Sequence, residues 1–421
     1  MNRLRIYNAT IVTPKGTGAL AGEDMAKVER LPGSEVVVED GVITHVGPSR
    51  GDLGDATDID ARGRVVMPGI VDSHTHLVFG GWRPEEFGWR LRGDSYMSIM
   101  NRGGGIVNTM KATRTATREE LTRKTMTLLR RMSAMGVTTV EGKSGYGLDL
   151  ETELLQLQVM ADLNAKEENP VDIATTFLGA HAVPPEWAKN PDGYIDFIIR
   201  EVLPRVKESE LAESCDIFCE EGVFSVEQSR RLLKAAREMG FSLKIHADEI
   251  VTTGGAELSA ELGALSADHL LHASDEGIEA MSRAGVVATL LPLTAFTLRE
   301  PYARARRMIE SGCAVALATD LNPGSCCSGS IPLTFALACI YMKMSVEEAI
   351  TAMTLNGAAA IGRADRIGSI EAGKQGDMVI LDADTPDFLP YFTGMNIAAV
   401  TIKGGRVVYD STVDSIYLNS K

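Results

Sequence analysis

Histidines and one aspartate in this sequence fall at or just beyond the ends of short apolar runs. The seven histidines are His45, His74, His76, His181, His246, His269 and His272. Asp320 and all of these histidines except His45 and His272 lie at or just beyond the end of an apolar run. Imidazole and carboxylate groups are ligands that Zn²⁺ and Fe²⁺ accept in proteins. If the runs are neighbouring strands, their ends bring these side chains together, and the pattern indicates metal-dependent chemistry.

His74 and His76 form the sharpest local motif. Side chains at positions i and i+2 of a strand lie on the same face, so both imidazoles can reach one ion at about 2.0–2.1 Å. Taken alone, the pair also fits a solvated or core pair of histidines. His246 and Asp320 would complete a set of three nitrogens and one oxygen, with a position left for water. For Asp320 the alternative is a helix N-cap or a turn before residues 322–323.

Other polar residues near these histidines have types suited to catalysis or binding. Glu249 lies three residues after His246, and a carboxylate beside a metal-bound water can take its proton and deliver it to a leaving nitrogen. His269 is a candidate electrostatic partner of the activated water, and His181 is placed to polarise a carbonyl or bind substrate. Arg83 can pair with a substrate carboxylate. A surface carboxylate for Glu249 and a surface ion pair for Arg83 are the alternatives.

Eight apolar runs separated by helix-length connectors make up the middle of the chain. They are residues 69–77, 137–141, 172–178, 214–219, 242–246, 266–271, 286–291 and 314–319. Residues 119–135 show the connector pattern, with apolar side chains near helical spacing. This alternation predicts parallel βα units, eight of which close into a (β/α)8 barrel with the site at its C-terminal mouth. A doubly wound open sheet is the rival, but residues 103–105 and 142–144 lack phosphate-loop spacing and are interpreted as ordinary loops.

The two ends of the chain share a different pattern, that of β structure. Residues 3–13 alternate polar and apolar side chains, and residues 35–46 contain two short strands broken at Asp40-Gly41. At the other end of the chain, residues 377–382 and 397–409 are strand runs of the same kind, with a turn at 404–405. We therefore predict one small β-sandwich domain assembled from both termini, with the barrel between its parts. The predicted limits are residues 1–67 and 368–421 for the β domain and 68–367 for the barrel.

The composition excludes several classes of protein. With 42 Lys plus Arg against 57 Asp plus Glu, the formal net charge is −15, so we expect neither nucleic acid nor an anionic membrane as a partner. Residues 1–12 lack the apolar core of a signal peptide, and no segment reaches the roughly 18 apolar residues that span a bilayer. The six cysteines form no CxxC pair, which favours reduced thiols and a cytoplasmic enzyme.

Several motifs together resemble the imidazolonepropionase family of amidohydrolases, and the resemblance covers nearly the whole chain. The motifs are PGIVDSHTHLVF (68–79), GGGI (103–106), EGKSGYGL (141–148), GAHAVP (179–184), FCEEGVF (218–224), HADE (246–249), SADHL (266–270) and ATDLNPGS (318–325). KSGYG and DLNPGS are the most specific of them. The chain departs from the family at Cys326, where a second serine is common, and at Leu293, where Gly or Thr is common.

The resemblance implies a barrel with a β-sandwich from both termini, one Zn²⁺ or Fe ion per subunit, and a homodimer. It also implies hydrolysis of the ring amide C–N bond of 4-imidazolone-5-propanoate to N-formimidoyl-L-glutamate. By position, the metal ligands are His74, His76, His246 and Asp320. The substrate-contacting positions are Arg83, Tyr146, His181, Glu249, Asn322, Gly324 and Ser325. Glu249, His269 and His181 are the expected catalytic residues.

Three alternatives stay open at this point. A deaminase acting on a purine, pyrimidine or triazine would use a similar ligand set, and release of ammonia without ring opening would distinguish it. A barrel protein that serves only as a scaffold would hold no stoichiometric metal. A binuclear enzyme is disfavoured because residues 214–219, on the fourth predicted strand, contain no lysine to bridge two ions.

Overall fold

The chain forms two sheets, one from its middle and one from both ends, in a computed structural model that describes residues 3–51, 53–94 and 104–412. The strands are, in chain order, β1 (Arg3–Thr13), β2 (Glu29–Glu39), β3 (Val42–Pro48), β4 (Thr57–Asp60), β5 (Val65–Pro68), β6 (Ile70–Asp72), β7 (Val137–Lys143), β8 (Asp172–Ala180), β9 (Ser214–Cys219), β10 (Ser242–Ala247), β11 (Ser266–His269), β12 (Val287–Leu290), β13 (Ala314–Leu317), β14 (Met378–Leu381), β15 (Ala398–Lys403) and β16 (Arg406–Asp410).

Strands β6 to β13 pair in sequence order and are all parallel. The first and last are joined just past their ends, where the His76 N–H donates to the Leu321 carbonyl (2.9 Å) and the Asp320 N–H to the His74 carbonyl (3.0 Å). The eight-stranded sheet is therefore a barrel, as predicted, and the doubly wound alternative is wrong. Such strands are covered on both faces, which explains why they were visible as nearly continuous apolar runs.

One detail of the sequence interpretation is wrong. Gly142 and Lys143 were assigned to a loop, but they are the last residues of β7. Both still pair with β8, opposite Thr175 and Thr176. The predicted run ended at Glu141, two residues before the end of the strand, and the charged side chain of Lys143 is fully buried.

Helices surround the barrel and follow most of its strands. They are α1 (Pro84–Leu91), α2 (Ile106–Thr115), α3 (Arg118–Ser133), α4 (Leu150–Asn164), α5 (Pro191–Phe197), α6 (Leu203–Ser209), α7 (Val226–Glu238), α8 (Gly255–Leu262), α9 (Asp275–Ala284), α10 (Pro292–Leu298), α11 (Ala305–Glu310), α12 (Ile331–Ile340), α13 (Val346–Met353), α14 (Leu355–Ala360) and α15 (Phe388–Tyr391). Helix α3 is the predicted connector, and it begins at a capping box of Thr117 and Glu120. In the part of the chain that the structure describes, no helix is both long and apolar enough to cross a membrane.

The second sheet has the strand order β16-β15-β14-β5-β1-β2-β3, with β4 pairing β1. It is mainly antiparallel, and it has an apolar cluster of its own that includes Ile6, Val36, Val66 and Ile380. Strands from both termini are thus neighbours, in agreement with the predicted β-sandwich module. The residue limits of the domains stay a prediction.

Candidate active site

Four predicted metal ligands meet at the C-terminal mouth of the barrel. His74 and His76 follow β6, His246 lies near the end of β10, and Asp320 follows β13. All four side chains are buried. The Oδ1 atom of Asp320 lies 3.6 Å from His74 Nε2 and 3.5 Å from His76 Nε2. One nitrogen from each of the three histidines lies within 4.8 Å of the others.

The chemistry of this cluster fits a metal ion. The Nε2 atoms of His74 and His246 are buried and have no hydrogen-bond partner among the described residues, which is costly unless another group completes them. Ligand atoms about 2.0–2.1 Å from a tetrahedral ion lie roughly 3.3–3.4 Å apart, close to the 3.5 and 3.6 Å distances at Asp320. Burial lowers the pKa of His74 and His76 well below the ordinary value. Their imidazoles are therefore neutral, as metal ligation requires.

The backbone is strained where two of the site residues leave their strands. The φ angles of His269 and Asp320 are 76° and 53°, in the left-handed region that residues other than glycine rarely adopt. Asp320 is held in this conformation by its N–H bond to His74 and by Thr294, whose hydroxyl donates to Asp320 Oδ2 at 2.6 Å. Both site residues thus combine a strained backbone conformation with a place at the mouth of the barrel.

Glu249 lies beside the cluster, on a loop that a neighbouring carboxylate organises. Its Oε1 is 3.6 Å from His269 Nδ1. Asp248 accepts hydrogen bonds from the main-chain N–H groups of residues 253–256, which fixes the path of the loop. Burial, reinforced by the negative charge of Asp320, raises the pKa of Glu249 to about 8. A carboxyl group with such a pKa is suited to exchanging protons near neutral pH.

Aromatic rings form the next wall of the site. The ring of His181 stacks on His76, with centroids 4.9 Å apart and an interplanar angle of 15°. Its Nδ1 lies 3.1 Å from the Gly145 carbonyl and donates to it, which leaves Nε2 as the free nitrogen. Burial lowers the pKa of His181 to about 3. The ring of Tyr146 lies 5.3 Å from that of His181, and burial raises the pKa of its hydroxyl.

The loop that carries Tyr146 is held by the first turns of α4. Glu153 accepts hydrogen bonds from the N–H groups of Gly145, Gly147 and Leu148, at 3.0, 2.8 and 2.8 Å. Gln156 accepts from the Tyr146 N–H at 3.2 Å. Every N–H from residue 145 to residue 148 is thus satisfied by a side chain of α4, and the tyrosine has a fixed position.

A second loop, residues 322–325, faces Arg83. Asn322 Oδ1 accepts from the N–H groups of Gly324 and Ser325 at 2.8 Å each, and its Nδ2 donates to Ser325 Oγ at 2.9 Å. The guanidinium of Arg83 lies against Gly324 so closely that a Cβ at that position would be 1.7 Å from Arg83 Nη2. Arg83 Nη1 lies 3.6 Å from Glu86. Asn322 thus uses the two main-chain N–H groups to fix the loop, while the guanidinium of Arg83 and the hydroxyl proton of Ser325 are groups that can bind a carboxylate.

The sequence analysis missed a set of buried charged residues behind the histidines. They are Glu141, Lys143, Asp216, Lys244 and Asp268. Each lies within a strand of the barrel, so a signal existed: charged residues inside apolar runs are rarely buried unless they are paired. The two remaining histidines lie elsewhere, His45 on β3 of the terminal sheet and His272 beyond β11, where its N–H donates to the Asp248 carbonyl.

A barrel with a buried histidine and aspartate cluster at its C-terminal mouth defines a class of metal-dependent hydrolases. Comparison with known families agrees, because a sequence model described as the amidohydrolase family matches residues 65–408. The chain therefore belongs to the amidohydrolase family.

Within this family, the chain is similar to imidazolonepropionases. It is 66% identical over 412 residues to the imidazolonepropionase of Phocaeicola vulgatus, covering 97% of this chain and 100% of that protein. It is also 66% identical over 409 residues to the imidazolonepropionase of Bacteroides thetaiotaomicron, covering 96% and 98%. Among solved structures, the 5-methylcytosine deaminase of Klebsiella pneumoniae superposes with a TM-score of 0.74 at 16% identity, covering 99% of this chain and 100% of that one. The last comparison concerns the fold alone, whereas the relatives agree with the resemblance seen in the motifs and make this chain a hydrolase of cyclic amides.

Proposed function

We propose that this protein hydrolyses the ring amide of 4-imidazolone-5-propanoate to N-formimidoyl-L-glutamate. The observation that carries the proposal is the buried cluster of His74, His76, His246 and Asp320 next to Glu249, in a chain whose relatives are imidazolonepropionases. These residues supply a metal site and a proton-transfer group side by side.

The four cluster residues would hold one Zn²⁺ or Fe ion per subunit, since nitrogen and carboxylate donors accept both metals. When bound, such an ion supplies a Lewis acid that lowers the pKa of water and polarises a carbonyl oxygen. The proposal also includes a homodimer, as the resemblance implies, and a cytoplasmic location, as the cysteine pattern favours.

Glu249 is the proposed proton carrier. The oxygen of a water molecule forms a bond to the ring carbonyl carbon while Glu249 accepts the proton that this water loses. The C–N bond of the ring amide then breaks, and Glu249 delivers the same proton to the departing nitrogen, which becomes part of the formimidoyl group. Burial raises the pKa of the Glu249 carboxyl, which supports both halves of this transfer because it brings the group toward the range in which it gains and loses its proton near neutral pH.

His269 and His181 are the proposed electrostatic partners of the reacting groups. His269 lies 3.6 Å from Glu249 and would orient that carboxylate and the attacking water. The free Nε2 of His181 carries a lone pair and would accept a hydrogen bond from an N–H of the imidazolone ring. Fixed polar groups of this kind need no reorganisation during the reaction, which makes them effective in stabilising developing charge.

The remaining candidates would hold the substrate in place. Arg83 and the Ser325 hydroxyl would bind the propionate, in a loop that Asn322 shapes and that Gly324 keeps open for Arg83. Tyr146 offers its ring and hydroxyl to the imidazolone ring. The distance constraint at Gly324 and the clamp on the Tyr146 loop support fixed positions for both halves. Holding the substrate in a fixed position beside the attacking water lowers the entropic part of the activation barrier.

The test is incubation of the metal-loaded protein with freshly prepared 4-imidazolone-5-propanoate. We expect metal-dependent loss of the substrate's ultraviolet absorbance and formation of N-formimidoyl-L-glutamate, with no loss in a chelator-stripped control. A folded, metal-replete sample without turnover would refute the proposal. Release of ammonia from an aminated heterocycle would instead make the protein a deaminase.

A further inference from the structure

Lys143 is the centre of an ionic cluster buried in the barrel behind the histidines. Its side chain is fully buried at the end of β7. The Nζ atom lies 2.7 Å from Asp216 Oδ2 and 3.2 Å from Asp268 Oδ2. It also lies 3.0 Å from Glu141 Oε2. A buried ammonium with three carboxylate neighbours is a costly feature that needs an explanation.

Two of these carboxylates also contact histidines of the metal cluster. Asp268 Oδ2 accepts from His74 Nδ1 at 2.7 Å, and Asp216 Oδ2 lies 2.9 Å from His246 Nδ1. In both cases the oxygen that faces the histidine is the one that faces Lys143. A single ammonium therefore connects the carboxylates behind two ligands that come from strands on different parts of the barrel.

This arrangement determines which nitrogen of each ring is available. A carboxylate beside Nδ1 places the ring proton on Nδ1 and leaves the Nε2 lone pair for a metal. Nε2 of His74 has no hydrogen-bond partner in the described chain, and neither has either ring nitrogen of His246. For His246, the 2.9 Å distance from Nδ1 to Asp216 identifies Nδ1 as the nitrogen on the carboxylate side. The carboxylates keep this orientation only while their own oxygens are fixed.

We propose that Lys143 is a positioning residue of the metal centre, holding Asp216 and Asp268 in place and, through them, the rings of His74 and His246. This inference rests on the proposed function only in taking the histidine cluster as a metal site. Burial works against the charge of Lys143, but Asp216, Glu141 and Asp268 raise its pKa above the ordinary value, so the ammonium is retained.

Lys244 provides a matched control for this role. Its side chain is also fully buried, and its Nζ lies 3.1 Å from Glu141 Oε2. The other contacts of this Nζ are the main-chain carbonyls of Ala360 at 3.0 Å and Ser73 at 3.5 Å. Lys244 thus shares burial and one carboxylate with Lys143. Among the described contacts it forms no hydrogen bond or ion pair with Asp216 or Asp268, and it acts on Asp268 only as a nearby charge.

The experiment compares Zn²⁺ affinity in the metal-stripped wild-type protein, Lys143→Met and Lys244→Met, measured by competition with a chromophoric chelator. Loss of a partner behind the ligands typically weakens metal binding by about 10- to 100-fold, and we expect this for Lys143→Met. We expect Lys244→Met to bind within about threefold of wild type, although both variants lose a buried ammonium. If the two variants bind Zn²⁺ with equal affinity, whether both are weakened or both match wild type, the inference is overturned.

A second variant covers the case in which Lys143→Met does not fold. Lys143→Arg keeps the positive charge, but its larger planar guanidinium replaces a compact ammonium with three rotatable donors. We expect weaker Zn²⁺ binding and a changed visible spectrum of the Co²⁺-substituted protein. Wild-type affinity together with a wild-type spectrum would contradict the positioning role.

Both readouts are independent of turnover, so the two proposals can fail separately. A wild-type protein that binds Zn²⁺ but does not convert the imidazolone refutes the function and leaves the role of Lys143 standing. Turnover by wild type, with Lys143→Met binding Zn²⁺ normally, refutes the role of Lys143 alone.

Discussion

Replacement of Gly324 by alanine perturbs the substrate pocket through a single side chain. A Cβ at this position would lie 1.7 Å from Nη2 and 2.5 Å from Cζ of Arg83. Ordinary contact begins near 3.4 Å, so the end of the guanidinium must move by about 1.7 Å. Gly324 is not among the described residues with positive φ, so alanine introduces no backbone strain. The perturbation is therefore a displacement of Arg83 at nearly constant stability.

Arg83 is proposed to pair with the propionate of the substrate, and hydrogen bonds to charged groups contribute about 1.5–3 kcal/mol each. Loss of one such bond corresponds to a decrease in kcat/KM of about 10- to 150-fold. Because the propionate is bound equally in the ground state and the transition state, we expect most of the effect in KM. Steady-state kinetics with 4-imidazolone-5-propanoate, together with thermal unfolding, measures both parts of this prediction.

Gly329→Ala is the control within the same segment, since its Cβ would make only ordinary contacts, 3.5 Å from Leu321 and 3.7 Å from Met132. We expect nearly wild-type kinetics from it. Combining Gly324→Ala with Arg83→Ala then tests the route of the effect. Once Arg83 is shortened, the alanine at 324 should cost no more than about 0.5 kcal/mol further. An undiminished loss in the Arg83→Ala background would refute the reasoning, as would wild-type KM in the single variant.

Three further perturbations test other parts of the site and fold. Glu249→Gln removes the proton carrier but no proposed ligand, so turnover should fall by about 10²- to 10⁴-fold with metal content unchanged; normal turnover would exclude the glutamate from the mechanism. Both carboxylate oxygens of Glu153 accept hydrogen bonds from N–H groups of the Tyr146 loop, whereas in Glu153→Gln one of these oxygens becomes an NH₂ donor. KM should rise several-fold at constant metal content. An unchanged KM would show that these hydrogen bonds do not position the tyrosine. Burial lowers the pKa of Lys124 from 10.5 to about 8, so between these values the folded protein binds fewer protons than the unfolded chain and stability rises with pH. Lys124→Met should flatten that rise in denaturant midpoints from pH 8 to pH 10.5, and an identical slope would contradict the shift.

The barrel was predictable because its strands are buried on both faces and its connectors are amphipathic. Apolar runs such as that of β13 indicate buried strands, and the alternation with helices leaves few other topologies. The ends of the strands were less certain, as the extension of β7 to Lys143 shows. A charged residue that stays paired with the next strand gives no signal in hydrophobicity, since the carboxylates that compensate it are distant in sequence.

The metal ligands were predictable for a different reason. His74 and His76 are two residues apart on one strand, and the ends of parallel strands must converge in a closed barrel. The contacts behind them depend on closure itself: Lys143 meets Asp216 and Asp268 only when β7, β9 and β11 surround a common interior. No local pattern specifies that three side chains from alternate strands share one position.

The metal-binding half and the substrate-binding half of the site are built from different kinds of structure, so substitutions in them should have different effects. The metal half lies at strand ends that are tied together by hydrogen bonds between β6 and the residues after β13 and by charges buried inside the barrel. A substitution there disturbs metal affinity and folding together. The substrate half, with Arg83, Tyr146 and Gly324, lies on loops held by side chains such as Asn322 and Glu153. Substitutions in these loops alter which polar end is recognised while the hydrolytic centre stays intact, so changes of substrate among related barrels should be concentrated there.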